Sequence, residues 1–246
     1  MSEGVLEGAD ATAIQHEWLR RVEAEYRSAG ITHQLTLWLL QLVAPLELVR
    51  AGLRIVEDEI SHSELSHRVH RAAGGTSPVN LTAATIGLPQ PTPDRLLEAV
   101  VRVTVENFCL GETVAVRLFS RLRADCTEPT ARAALDRILK DEVRHKDFGW
   151  TLLEWLLSTP KRDEVMRTVQ QVLPGAFSRL RHNYAYQALG QTPPPAPERA
   201  KWGLMPPAAY AAALEETLAK DYVPLFEEAG IDARTAWGGG PGRADG

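Results

Sequence analysis

Two stretches decide how this chain is read: DEISH, Asp58 to His62, and DEVRH, Asp141 to His145. Both have the form Asp-Glu-x-x-His, and they begin 83 residues apart. On a helix, residues i and i+3 project from one face, so Glu59 points with His62 and Glu142 with His145. The neighbours at helical spacing say which way each pair faces. Around the first pair they are Leu48, Gly52, Ile55, Ser66 and Val69; around the second, Ala131, Leu135, Ile138, Gly149, Leu152 and Leu156. Both pairs therefore sit in stripes of apolar or small residues that face a core. A single Glu-x-x-His reads as a solvated surface pair. Two of them on buried stripes need a counter-charge, because an uncompensated buried carboxylate costs several kcal/mol. A pair of divalent metal ions supplies it.

A helical bundle that holds two metals between such helices takes one further Glu from each of its other two helices. The first helix offers Glu17, Glu23 and Glu25. Glu25 lies on the apolar stripe of Trp18, Val22, Ala29, Thr32 and Leu39, whereas Glu23 shares a face with Arg20 and Arg27. Glu25 stands about 25 Å of helix from the turn near Leu42, and Pro45 to His62 also spans about 25 Å. The third helix offers Glu106 and Glu112. Glu112 falls with Val101, Val105, Cys109, Val116 and Phe119, while Glu106 lies beside Arg102 and Arg117 and reads as an exposed ion-pairing residue. From the turn near Asp125, Glu112 is about 20 Å up its helix and Glu142 about 21 Å up the next. The candidate ligand set is thus Glu25, Glu59, His62, Glu112, Glu142 and His145. Its hard oxygens and borderline nitrogens suit iron or manganese.

The periodicity is helical almost throughout, with no convincing strand. It predicts helices over about 11–43, 45–72, 93–124 and 128–158, with a long crossing loop, GGTSPVNLTAATIGLPQPTP, at 74–93. A further helix from Lys161 is expected to break at Pro174 and resume to about Ala188. QTPPPAPER reads as a stiff connector, and Pro206 to Glu228 as a last helix. These segments divide into a four-helix bundle over 11–158, a C-terminal helical extension over 159–230 and a flexible tail over 231–246.

Net charge is −5 with both signs interspersed, which argues against a nucleic-acid partner. The two cysteines, Cys109 and Cys126, lack a CxxC partner, as expected in a reducing cytoplasm. MSEGVLEGAD has no apolar signal core, and no apolar run is long enough for a membrane span. His16, His33, His67, His70 and His182 match no ligand spacing and read as surface residues. Trp38, Trp150, Trp155, Phe148 and Phe119 read as core.

The ligand set, together with AEYRSAG, APLELV, DEISH, CLGET and DEVRHKDFGW, resembles the ferritin-like di-iron carboxylate superfamily over about Ala11 to Ser158. The resemblance looks closest to a bacterial group of uncharacterised ferritin-like proteins. It implies a ferritin-like four-helix bundle with two iron ions, a mixed manganese–iron pair being the variant. In it Glu112 is the third-helix ligand. It also implies that Asp58 supports His145 and that Asp141 supports His62. Asp58 could instead reach His62 on its own helix. Ser66 and Gly149 stand one turn after the histidines, where a stored tyrosyl radical would need Tyr. Ala29, Ser66 and Gly149, with Cys109, would leave room for a pocket beside the metals, although Cys109 reads more readily as a small buried core residue. The expectation is an O2-activating oxidoreductase acting on a small organic molecule, with an external electron donor, as a monomer or homodimer. The alternatives are a ferroxidase or peroxide-scavenging protein, and a metal-free helical interaction module.

Overall fold

The computed structural model describes residues 8–192, 194 and 196–238. The expectation of an all-helical chain is borne out: among the described residues there is no strand. No helix among them is long and apolar enough to cross a membrane. The chain divides into two compact units.

The first unit comprises Met1–Gln90, Phe119–Asp141 and Pro194–Met205. Its frame is the hairpin of α1 (Gly8–Gln41) and α2 (Leu46–Ala72). The hydrogen bonds Ala44 N to Leu39 O and Val43 N to Leu40 O close α1, with Val43 in the left-handed region at φ 54°. This is the double-bonded helix stop that usually takes glycine. Pro45 then leads straight into α2. The register of the hairpin is set by close contacts. A Cβ on Gly52 would lie 2.4 Å from Thr36 Oγ1. Ser28 Oγ bonds Glu59 Oε1 (2.9 Å), Ser63 Oγ bonds Val22 O (3.1 Å), and His70 Nδ1 lies 2.8 Å from Gln15 O. As one partner's number falls the other's rises, so the helices run antiparallel. His70 is buried rather than on the surface as its spacing suggested, because its ring fills the space beside Gly75.

The crossing segment is pinned along α1. It contains the short α3 (Ala83–Ile86), and Ile86 packs where a Cβ on Gly30 would be. Asn80 N bonds Glu23 Oε1, and Gln90 meets Gln34 and Trp38 Nε1. The helix α8 (Pro197–Lys201), which follows the proline-rich connector, is also tied here. Trp18 Nε1 donates to Trp202 O and Arg21 Nη2 to Gly203 O, while Thr127 N and Glu128 N donate to Lys201 O.

The second unit comprises Pro91–Leu118, Glu142–Pro193 and Pro206–Gly246. The third long segment is not one α-helix. It opens as a 3-10 turn (Pro93–Arg95) and continues as α4 (Leu96–Val103). A π-helical stretch, Thr104–Glu112, follows, and then α5 (Thr113–Ala124). The buried positions shift accordingly: Val101, Val105 and Cys109 are followed by Val114, Leu118 and Leu122, so one step is five residues long. Val116 and Phe119, expected on the stripe, are half-buried.

The helix α6 (Pro129–Ser158) is unbroken, and α7 (Arg162–Asn183) runs through Pro174 without the expected break. A proline inside a helix removes one backbone bond. Burial of Val172, Leu173, Ala176 and Phe177 on both sides of Pro174 holds the helix together. The last long segment is α9 (Pro207–Thr217), a π stretch (Leu218–Tyr222) and α10 (Val223–Glu228). A short helix, α11 (Ala233–Gly238), occupies the start of the expected tail; residues 239–246 lie outside the described residues.

Candidate metal centre

In the first unit Glu25, Glu59 and His62 are all buried, at 8%, 1% and 0% exposure. Each is on the core stripe of its helix because the flanking stripe residues are buried too: Trp18, Val22 and Ala29 on α1, Ile55, Ser66 and Val69 on α2. Glu23, by contrast, pairs with Arg27 and Glu17 with Arg20 and Arg21. His62 Nδ1 stands 3.5 Å from Glu59 Oε2, and His62 Nε2 lies 3.2 Å from Asp141 Oδ2. A carboxylate accepts, so Nε2 is the donor in the contact with Asp141.

The sequence reading missed Arg137. Its Nε donates to Asp141 Oδ2 at 2.5 Å and its Nη2 to Asp58 Oδ1 at 3.4 Å, so one guanidinium ties both aspartates. The signal was available: Arg137 precedes Asp141 by four residues, the spacing of a helical ion pair. Ser28, whose hydroxyl holds Glu59, left no such sign.

In the second unit Glu112, Glu142 and His145 are buried at 9%, 2% and 0% exposure. His145 Nδ1 stands 3.8 Å from Glu142 Oε2 and 4.0 Å from Glu112 Oε2. Glu112 is the last residue of the π stretch. Glu106, six residues earlier in that stretch, is bound by Arg102 and Arg179. Arg117, expected beside Glu106, instead pairs with Glu216 and Asp221.

The π stretch is held from the C-terminal segment. Tyr222 OH donates to Leu110 O at 2.6 Å, fully buried. Burial pushes the Tyr222 phenol well above its ordinary value, so it stays a neutral donor. The adjacent Asp221 bridges Arg117 and Lys146.

The small residues serve packing. A Cβ on Gly149 would meet Phe108 Cβ at 2.7 Å and the Phe108 carbonyl carbon at 2.8 Å. The space expected to open beside a ligand is therefore filled by the π stretch. Cys109 Sγ donates to Gly149 O at 3.4 Å, and burial pushes its thiol far above the usual range. Ala29 and Ser66 are buried among core residues. A cavity of about 920 Å³ lies further along α6, with Trp150, Leu153, Leu157, Leu225, Lys146 and Glu154 in its lining. None of the six candidate ligands is in its lining.

Each of the six belongs to a trio of carboxylate and imidazole groups whose ligand atoms lie within 4.8 Å of one another, clusters that could hold a metal ion. Within each unit the separations of 3.5 to 4.0 Å between imidazole nitrogen and carboxylate oxygen exceed a hydrogen bond. The donors are oxygen and imidazole nitrogen, with no thiolate among them. That chemistry fits a divalent first-row metal.

Comparison with protein-family models, with curated proteins and with solved structures gives no match.

Proposed function

We propose that Glu25, Glu59, His62, Glu112, Glu142 and His145 together hold two metal ions, most naturally iron. In this reading the chain is a ferritin-like four-helix bundle acting as a non-haem di-iron oxidoreductase. The observation that carries the proposal is burial. Four glutamates and two histidines lie within a tenth of full burial, all in clusters that could hold a metal. Four carboxylates with two neutral imidazoles are balanced by two divalent cations, which removes the cost of burying them.

Bound there, two iron ions would supply O2 reduction for the oxidation of a small organic substrate, with electrons from a separate donor. The chain's own residues do the rest. Asp141 accepts from His62 Nε2 and so orients the ring, with Nδ1 as the ligand nitrogen. Arg137 ties Asp58 and Asp141 in place. Ser28 fixes one oxygen of Glu59, leaving the other turned to His62. The apolar stripes around both Glu-x-x-His pairs exclude bulk water, which limits unproductive proton leakage. The C-terminal segment acts through Tyr222, which braces the backbone that presents Glu112.

The test is O2 consumption by protein reconstituted anaerobically with Fe(II), with iron alone and with a panel of small organic reductants and substrates. Turnover beyond one equivalent of O2 per di-iron centre, dependent on an organic molecule and a reductant, supports the oxidoreductase. Consumption that tracks only added Fe(II), with ferric product retained, assigns the chain to iron oxidation instead.

A further inference from the structure

The outer side of the α1–α2 hairpin carries large apolar side chains in the open. Leu46, Leu53 and Ile60 are 62%, 52% and 47% exposed. They recur every seven residues and so form one line along α2. Leu53 and Ile60 each follow a residue in contact with α1, Gly52 and Glu59, by one position. That turns them about 100° round the helix, away from the stripe of Ile55 and His62. On α1, Leu37 and Leu40 likewise follow buried Thr36 and Leu39 and are 44% and 52% exposed; Tyr26, at the other end, is 46% exposed. At the tip, Val43 is 87% exposed in a left-handed backbone position where glycine would be unstrained.

We infer that this face binds a second copy of the chain across a two-fold axis at Leu53. The pattern is self-complementary when two α2 helices lie antiparallel. Leu53 then meets Leu53 of the partner copy, and Leu46 meets Ile60. Beside the apolar line, Arg50 and Glu57 are exposed, opposite in charge, and placed almost symmetrically about Leu53. Antiparallel pairing sets Arg50 of one copy beside Glu57 of the other, twice. Parallel pairing would set each charge against its like. An isologous interface needs this reciprocity. A lipid surface would gain nothing from Glu57, and an unrelated partner would have no reason to match the pattern's own symmetry.

The test is sedimentation velocity of the full chain at micromolar concentrations, with circular dichroism to confirm folding. The wild type should be dimeric. Leu53→Glu, which puts two carboxylates together at the axis, should give a folded monomer, weakening association at least about 100-fold. Arg50→Glu and Glu57→Arg should each weaken the dimer, and the double variant R50E/E57R should restore it. That rescue separates a docking role from misfolding. A wild type monomeric throughout would overturn the inference and leave the face to a membrane or a different protein. A dimer indifferent to Leu53→Glu would overturn it as well.

Discussion

Glu112 and Glu106 show what decides a residue's role on this scaffold. They share a helical segment and a chemistry, yet Glu112 is buried beside His145 while Glu106 is held by two arginines. Glu112→Ala is expected to lose at least one metal ion per chain and Glu106→Ala to keep both, as read by elemental analysis of reconstituted protein. Asp141 faces His62 Nε2 at 3.2 Å. Asp141→Asn replaces an obligate acceptor with a group that can donate to His62 Nε2, so it relaxes the tautomer. Metal affinity should fall about 10–100-fold in chelator competition, with little change in helicity. An unchanged affinity would remove Asp141 from any role at the centre. Gly149 is a packing position: Gly149→Ala drives a Cβ into Phe108 and should lower stability by about 1–3 kcal/mol in urea unfolding. The ligand candidates could be read in the sequence because carboxylates on an apolar stripe are anomalous. Arg137 and Ser28 were overlooked because each lies off the stripe and works through contacts that no single-helix pattern encodes.

At the scale of the element, straight 3.6-residue periodicity was enough for α2 and α6, whose stripe positions are buried from end to end. It was not enough for the segment carrying Glu112. A π stretch adds a residue to the turn, so positions beyond it, Val116 and Phe119, rotate partly out of the core. Nothing local in TVENFCLGE announces this, because the wide turn is stabilised by a distant donor, Tyr222 OH on Leu110 O. Removing that donor with Tyr222→Phe leaves a buried carbonyl short of a partner and should cost about 1–3 kcal/mol. Amide exchange over residues 108–113 should quicken as well. Stability lost without faster exchange there would mean that Tyr222 is packing only. Pro174 failed as a helix breaker for the complementary reason: burial on both sides outweighs one missing bond.

For the whole molecule, the all-helical class and the main helix boundaries were legible from caps, prolines and stripes. The path of the C-terminal third was not. No motif marks α8 as the partner of Trp18 and Arg21, since the recipients are backbone carbonyls. Truncation after Gly190 should therefore destabilise α1 itself and broaden the urea transition. The central claim, that one chain holds two metal ions through six buried side chains, is tested most directly by counting them. Protein reconstituted anaerobically with Fe(II) and freed of excess iron should contain about two ions per chain, with His62→Ala and Glu112→Ala each below that value. Fewer than one ion per chain in the wild type, unchanged by His62→Ala, would contradict the account.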